Sequence, residues 1–149
     1  MERTFAMIKP DGVQRGLIGQ IITRIERRGL RLEALKMIRL DKDTAAEHYK
    51  EHVGKGFYDS LLDYITSGPV VVMAIYGDSS VSMIRDIVGK TDPKKAAPGT
   101  IRADFGIDIS RNIIHAADSP ESAERELNIY FDGSEYQNYS KPDEKWLYP

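Results

Sequence analysis

Residues Val70-Val71-Val72-Met73-Ala74-Ile75-Tyr76 form an unbroken apolar run rich in β-branched side chains. No other feature constrains the fold as strongly. Apolar side chains at both even and odd positions describe a strand buried on both faces, at the centre of a sheet covered by further layers. The run is far shorter than the ~20 apolar residues a membrane-spanning helix requires. The rest of the chain must therefore supply helices that cover the sheet.

Those helices are legible. Thr4 to Ile8 reads as a second short apolar strand, closed by a turn at Pro10-Asp11-Gly12. Leu17, Ile18, Ile21, Ile22 and Ile25 recur at helical spacing, with Gly29 as the stop. Leu30, Leu32 and Ala34 alternate, then Leu35, Met37 and Ile38 blur the pattern, which predicts a strand with a bulge through Leu40. Asp43 or Thr44 caps a short helix reaching about His52, and a second helix spans Tyr58 to Ile65. Ser79 or Ser80 opens another, ending at Gly89; Lys90 to Gly106 reads as a long functional loop. Ile113-Ile114 reads as a last short strand, and Ser119-Pro120-Glu121 starts a helix through Phe131. Trp146-Leu147-Tyr148 is too apolar to float free and predicts docking on this chain or a neighbour. Without its small helices the order is strand, helix, strand, strand, helix, strand. That is the ferredoxin-like βαββαβ pattern, an α/β (α+β) sandwich with a four-stranded antiparallel sheet and helices on its faces. We expect one domain over residues 1–149, with no internal repeat.

Composition removes whole chemistries. The chain has no cysteine, which excludes thiol nucleophiles, Cys-ligated zinc and iron–sulfur clusters. Lys and Arg number 21 against 23 Asp and Glu, a net charge of −2, so bulk charge points to no nucleic acid or membrane partner. Met1 to Ile8 lacks the apolar stretch of a secretory signal, and a cytoplasmic location is expected. Gly89-Lys90-Thr91 mimics the end of a P-loop, but Ile84 stands where that loop needs glycine. Gly12, Gly16 and Gly19 lack the spacing of a dinucleotide fold. Arg24, Arg27, Arg28, Arg31, Lys36 and Arg39 are interrupted by Glu26 and Glu33 and carry no stacking aromatic, which reads as solvated surface.

Three histidines remain. His48-Tyr49-Lys50-Glu51-His52 matches the H-x-x-E-H pattern of zinc peptidases, but reads better as a solvated helix face lacking a third ligand. His115 lies between a short strand and a helix start, beside the small Ala116 and Ala117. Glu126 in the next helix can hold one ring nitrogen and leave the other as nucleophile. The loop before His115 supplies Arg85, Thr91 and Arg102, donors suited to phosphate oxygens.

Ile8-Lys9-Pro10-Asp11-Gly12-Val13 with Arg15-Gly16-Leu17-Ile18-Gly19, then His48-Tyr49, Ser67-Gly68-Pro69-Val70, Pro98-Gly99-Thr100-Ile101-Arg102 and Arg111-Asn112-Ile113-Ile114-His115 closely resemble the nucleoside diphosphate kinase family. The motifs fall in order across nearly the whole chain. The resemblance implies transfer of the terminal phosphate of a nucleoside triphosphate to a nucleoside diphosphate through a phosphohistidine. It makes His115 the nucleophile, Glu126 the group orienting its ring, and Tyr49 the tyrosine beside it. Lys9, Arg85, Thr91 and Arg102 match the phosphate ligands; Lys9 and Asn112 match residues that hold the ribose hydroxyls or terminal phosphate. Phe57 resembles the aromatic on which the base stacks. Mg2+ is implied on the nucleotide phosphates rather than in a protein cage, and a homo-oligomer, hexamer or tetramer, is implied as the assembly. Two residues depart from the family pattern: Ala117 where serine is usual, and Ser110 where glycine is usual. The rival reading is a catalytically silent nucleotide-binding regulatory homologue.

Overall fold

The computed structural model describes residues 1–149. In chain order the elements are β1 (Glu2–Ile8), α1 (Pro10–Gln14), α2 (Ile18–Arg27), β2 (Arg31–Ile38), α3 (Lys42–His48), α4 (Tyr58–Ile65), β3 (Val70–Gly77), α5 (Ser80–Val88), α6 (Ile101–Phe105), β4 (Ile114–Ala116), α7 (Pro120–Tyr130) and α8 (Glu144–Leu147). The four strands form one antiparallel sheet in the order β2-β3-β1-β4. This is the expected ferredoxin-like arrangement, and β3 is an interior strand.

Side chains of β1 and β3 alternate between two apolar layers. Phe5, Met7, Val70, Val72 and Ala74 pack with Ala45 of α3, Ile65 of α4 and Leu127 and Tyr130 of α7. Ala6, Ile8, Val71, Met73 and Ile75 face the other way, onto Ile21 and Ile25 of α2 and Ile84 and Val88 of α5. Full burial of each larger side chain contributes roughly 1.5–3 kcal/mol. The two-faced apolar run of β3 thus follows from helices on both sides of the sheet.

The bulge falls in β2, where Leu32 pairs with Ile75 and Ala34 with Ala74, leaving Glu33 as the extra residue. Glu33 is buried and accepts from Arg3 Nε (2.7 Å) and Arg31 Nη2 (2.8 Å). Its carbonyl accepts from Gln137 N at 2.8 Å, and Tyr139 Oη donates to the Leu32 carbonyl at 2.7 Å, so the C-terminal segment covers this end of the edge strand. Leu147 meets Gly29, whose missing Cβ would lie 3.0 Å from it; Trp146 stays exposed. The tail therefore docks partly on its own chain. Arg24 pairs with Asp104, Arg31 with Glu33 and Glu144, and Lys36 with Glu135. Three of the six cations in the basic stretch are thus in ion pairs, while Arg27, Arg28 and Arg39 are exposed as a solvated surface requires.

Several boundaries differ from the sequence reading. The turn at Pro10-Asp11-Gly12 is the start of α1, with proline at its first position. Asp41, rather than Asp43 or Thr44, caps α3 by accepting from Thr44 N at 2.7 Å. The long loop contains a 3₁₀ turn at Pro93–Lys95 and helix α6. The last strand begins at Ile114 and carries His115 within it, because Ile113 has a φ of 78° that no strand accommodates.

Candidate active site

His115 is paired with Met7 across the β1–β4 ladder, and Lys9 leaves the end of β1 with its amide donating to the Ile113 carbonyl at 2.8 Å. Adjacent antiparallel strands therefore bring residues over 100 positions apart to one sheet end. The His115 side chain retains 22% exposure while Glu126 beside it is buried. His115 Nε2 lies 2.6 Å from Glu126 Oε1. A carboxylate here accepts the Nε2 proton, which fixes the tautomer and leaves the Nδ1 lone pair free. Burial pushes the Glu126 carboxyl up.

A cavity of about 630 Å³ opens over this pair. It is lined by Lys9, Tyr49, Phe57, Arg85, Thr91, Arg102, Asn112, His115 and Glu126, all the residues singled out from the sequence. Arg85 comes from α5 and Arg102 from α6 rather than from loop backbone. Arg102 is buried and donates to three carbonyls: Asn112 from Nε (3.2 Å), Gly89 from Nη1 (3.1 Å) and Ile114 from Nη2 (2.6 Å). Arg85 Nη1 donates to the Ala116 carbonyl at 3.2 Å. Lys9 Nζ donates to Asn112 Oδ1 (2.8 Å), and Asn112 Nδ2 in turn to the Thr91 carbonyl (3.0 Å). Phe57 stands just before α4, half exposed, its ring 5.5 Å from that of His52.

The electrostatics follow from crowded cations. Burial, then Lys9, Arg102 and Arg85, hold His115 well below its ordinary value of 6.5. Burial and then Arg102 lower Lys9 to about 8. Burial followed by Arg85 lowers Arg102 to about 10, still charged at neutral pH. Such a site favours a multiply charged anion over a bare cation.

His48 is where the sequence reading fails. It is buried rather than on a solvated face, edge-on to His115 with ring centroids 4.7 Å apart, and its Nδ1 lies 2.9 Å from Tyr130 Oη. Helix α3 ends at His48 and His52 sits in a separate 3₁₀ turn, so the H-x-x-E-H residues share no helix face. His48, His115 and Glu126 bring ligand-type atoms within 4.8 Å of one another. His48 Nδ1 and His115 Nε2 are already engaged, and three neighbouring cations oppose an unshielded metal ion. Arg111, Asp118 and Arg125 also line the cavity; their charge alone did not distinguish them in the sequence.

Neither departure disturbs the geometry. Ala117 is packed in the core with its amide donating to the Phe5 carbonyl at 3.0 Å, and the His115–Glu126 bond forms without a hydroxyl there. Ser110 lies in a 3₁₀ turn at Ile109–Arg111 and does not have the positive φ that would call for glycine.

An accessible imidazole oriented by a carboxylate, in a cationic cavity on a ferredoxin-like sheet, defines the class: a phosphate-transferring enzyme. The profile of the nucleoside diphosphate kinase family matches residues 2–136. The chain is 54% identical over 148 residues to a nucleoside diphosphate kinase of Archaeoglobus fulgidus, covering 99% of this chain and 98% of that one. It is 55% identical to that of Natronomonas pharaonis, covering 99% and 97%. The solved structure of the Halobacterium salinarum nucleoside diphosphate kinase in complex with CDP superposes with a TM-score of 0.97 at 46% identity, covering 99% of each chain. The chain belongs to the nucleoside diphosphate kinase family, and it transfers the terminal phosphate of a nucleoside triphosphate to a nucleoside diphosphate.

Proposed function

We propose that this transfer proceeds through His115 in two half-reactions. The observation that carries the reading is the 2.6 Å bond from His115 Nε2 to Glu126, which leaves Nδ1 as the nucleophilic nitrogen beneath a cationic cavity. Nδ1 attacks the terminal phosphorus of the donor, the bond from that phosphorus to the bridging oxygen breaks, and the diphosphate leaves with the electron pair. A terminal oxygen of the acceptor diphosphate then attacks the phosphohistidine and restores the imidazole. One site thereby serves donor and acceptor in turn.

Lys9, Arg85, Thr91 and Arg102 hold the phosphates as charge moves, with Lys9 and Asn112 also reaching the ribose hydroxyls or terminal phosphate. Tyr49 flanks the imidazole. Phe57 offers an exposed ring to the base, and stacking accepts any base because each presents a π face. The Halobacterium salinarum relative was solved in complex with CDP, which supports nucleotide binding by this chain. His48, His115 and Glu126 could group around a metal ion, but the His115–Glu126 and His48–Tyr130 bonds and the surrounding cations disfavour one there, so we assign the divalent cation, Mg2+, to the nucleotide phosphates. When bound it neutralises phosphate charge. The nine residues that the family resemblance assigns all line one cavity, which supports an active enzyme over a silent homologue.

Leu35 and Met37 stay exposed on edge strand β2 beyond the part the tail covers, which supports homo-oligomeric assembly, hexamer or tetramer. No helix is long and apolar enough to cross a membrane, in keeping with the cytoplasmic location we propose.

The titration of Lys9 gives a test. Its cationic form is the one that attracts phosphate, and with a value of about 8 in the free enzyme it is lost as pH rises beyond that point. We expect kcat/KM to fall above pH 8, whereas kcat holds to higher pH because bound polyphosphate restores the Lys9 proton. His115 is already neutral well below 6.5, so no acid limb from it appears near that pH. Folding stability moves the other way at the acid end. His48 and His115 both have lowered values, so the unfolded chain alone takes up their protons below 6.5 and stability falls with pH there. A kcat/KM profile flat to pH 10 contradicts the role given to Lys9.

A further inference from the structure

The residue two before His115 is the most strained in the site. Ile113 has a φ of 78°, and the Ile114 amide donates to the Asn112 carbonyl at 2.8 Å, closing a γ-turn around it. A β-branched residue is a poor occupant of this conformation, and the turn persists only where its surroundings over-determine it. Those surroundings converge on one carboxylate. Asp11 Oδ2 accepts from the Ile113 amide at 3.1 Å, and Asp11 Oδ1 accepts from Tyr64 Oη. The Lys9 amide donates to the Ile113 carbonyl from the other side. Gly12 lets α1 approach this closely: a Cβ there would lie 2.7 Å from Ile8 Cγ2 and 3.0 Å from the Ile113 carbonyl oxygen.

The turn also arranges the cations. Its Asn112 and Ile114 carbonyls accept from Arg102, and the Asn112 side chain accepts from Lys9. Tyr64 sits near the end of α4, the helix that begins beside Phe57, under the Arg111 guanidinium at 4.3 Å from its ring centroid. A bridge of two hydrogen bonds thus joins the helix next to the base platform to the backbone that carries His115.

We infer that Asp11 and Tyr64 are positioning residues for phosphoryl transfer, their bridge holding the strained turn that aims His115 and sets Arg102 and Lys9 around it. This inference rests on His115 being the nucleophile. Misplacing a reacting group by about 1 Å costs on the order of 10²-fold in rate, and the turn relaxes toward an ordinary φ once its amide loses the carboxylate. Arg102 keeps its bond to the Gly89 carbonyl, outside the turn, so ADP affinity falls by much less than the rate of transfer.

The experiment follows phosphorylation of His115 by ATP labelled at the terminal phosphate, in rapid-quench single turnovers, alongside the dissociation constant for ADP. Asp11→Ala is expected to slow phosphorylation roughly 10²-fold with a far smaller loss of ADP affinity. Asp11→Asn, which can still accept from the Ile113 amide, recovers most of the rate. Tyr64→Phe keeps the ring under Arg111 and slows phosphorylation by a factor of roughly 10, the low end of the cost of losing a hydrogen bond to a charged group; it carries the test if Asp11→Ala does not fold. Variants that phosphorylate at the wild-type rate, or that lose rate and ADP affinity in the same proportion, overturn the inference while leaving His115 as nucleophile. A wild-type protein that takes no label overturns the His115 reading and this inference with it.

Discussion

Alanine at His115 removes phosphoryl transfer at the level of the chemical step, by roughly 10⁴-fold or more, the order expected when the nucleophile of a covalent mechanism is deleted. The measurement is exchange of label between ATP and ADP with no second nucleotide present. A covalent intermediate requires that exchange in the wild type, and His115→Ala should show none above background. The substitution should leave the fold intact, because His115 keeps a fifth of its side chain in solvent and Ala116 already occupies the next strand position. Retained exchange in the variant contradicts the assignment of His115. Loss of exchange together with an intact cavity, shown by unchanged ADP binding, separates a missing nucleophile from a collapsed site.

Arg102→Ala has the second-largest expected effect and a different signature, because Arg102 both binds and builds. Its guanidinium satisfies the carbonyls of Gly89, Asn112 and Ile114, joining the end of α5 to the γ-turn and to β4. Removing it leaves buried acceptors unpaired, and a loss of about 3 kcal/mol in unfolding free energy is expected from such groups. It also removes a preorganised cation from the charge that develops on the transferring phosphate, worth roughly 10²–10³ in kcat. His115 should still take label slowly, since its bond to Glu126 does not pass through Arg102. Denaturant unfolding and steady-state rates check the two parts separately. An unchanged kcat with lowered stability would reduce Arg102 to a structural brace. The reverse would show that the carbonyl contacts contribute little to folding.

The parts of this molecule that were legible in the sequence are those set by local chemistry. The two-faced apolar run of β3 announced a covered central strand, and the irregular pattern of β2 announced a bulge, which falls at Glu33, ahead of the blur at Leu35, Met37 and Ile38. The nine candidate site residues were legible through the family resemblance, and the cavity gathers all of them. What stayed hidden depends on contacts distant in the chain. Helices α1 and α6 are five residues each, too short to display a period. His48 ends a helix among polar neighbours and looks solvated; Tyr130 and Phe5, from α7 and β1, bury it. The bridge through Asp11 joins residues 53 and 102 positions away, and nothing in an isoleucine announces the positive φ at Ile113.

The central claim is that His115 Nδ1, freed by the bond from Nε2 to Glu126, carries the phosphate. Its most direct test is to incubate the protein, labelled with 15N in histidine, with ATP, and to locate the phosphate by 31P–15N coupling after quenching at alkaline pH. An acid-labile, base-stable phosphate coupled to Nδ1 of His115 is expected in the wild type and is expected to be absent in His115→Ala. Phosphate on Nε2, on another residue, or no covalent phosphate at all would contradict it.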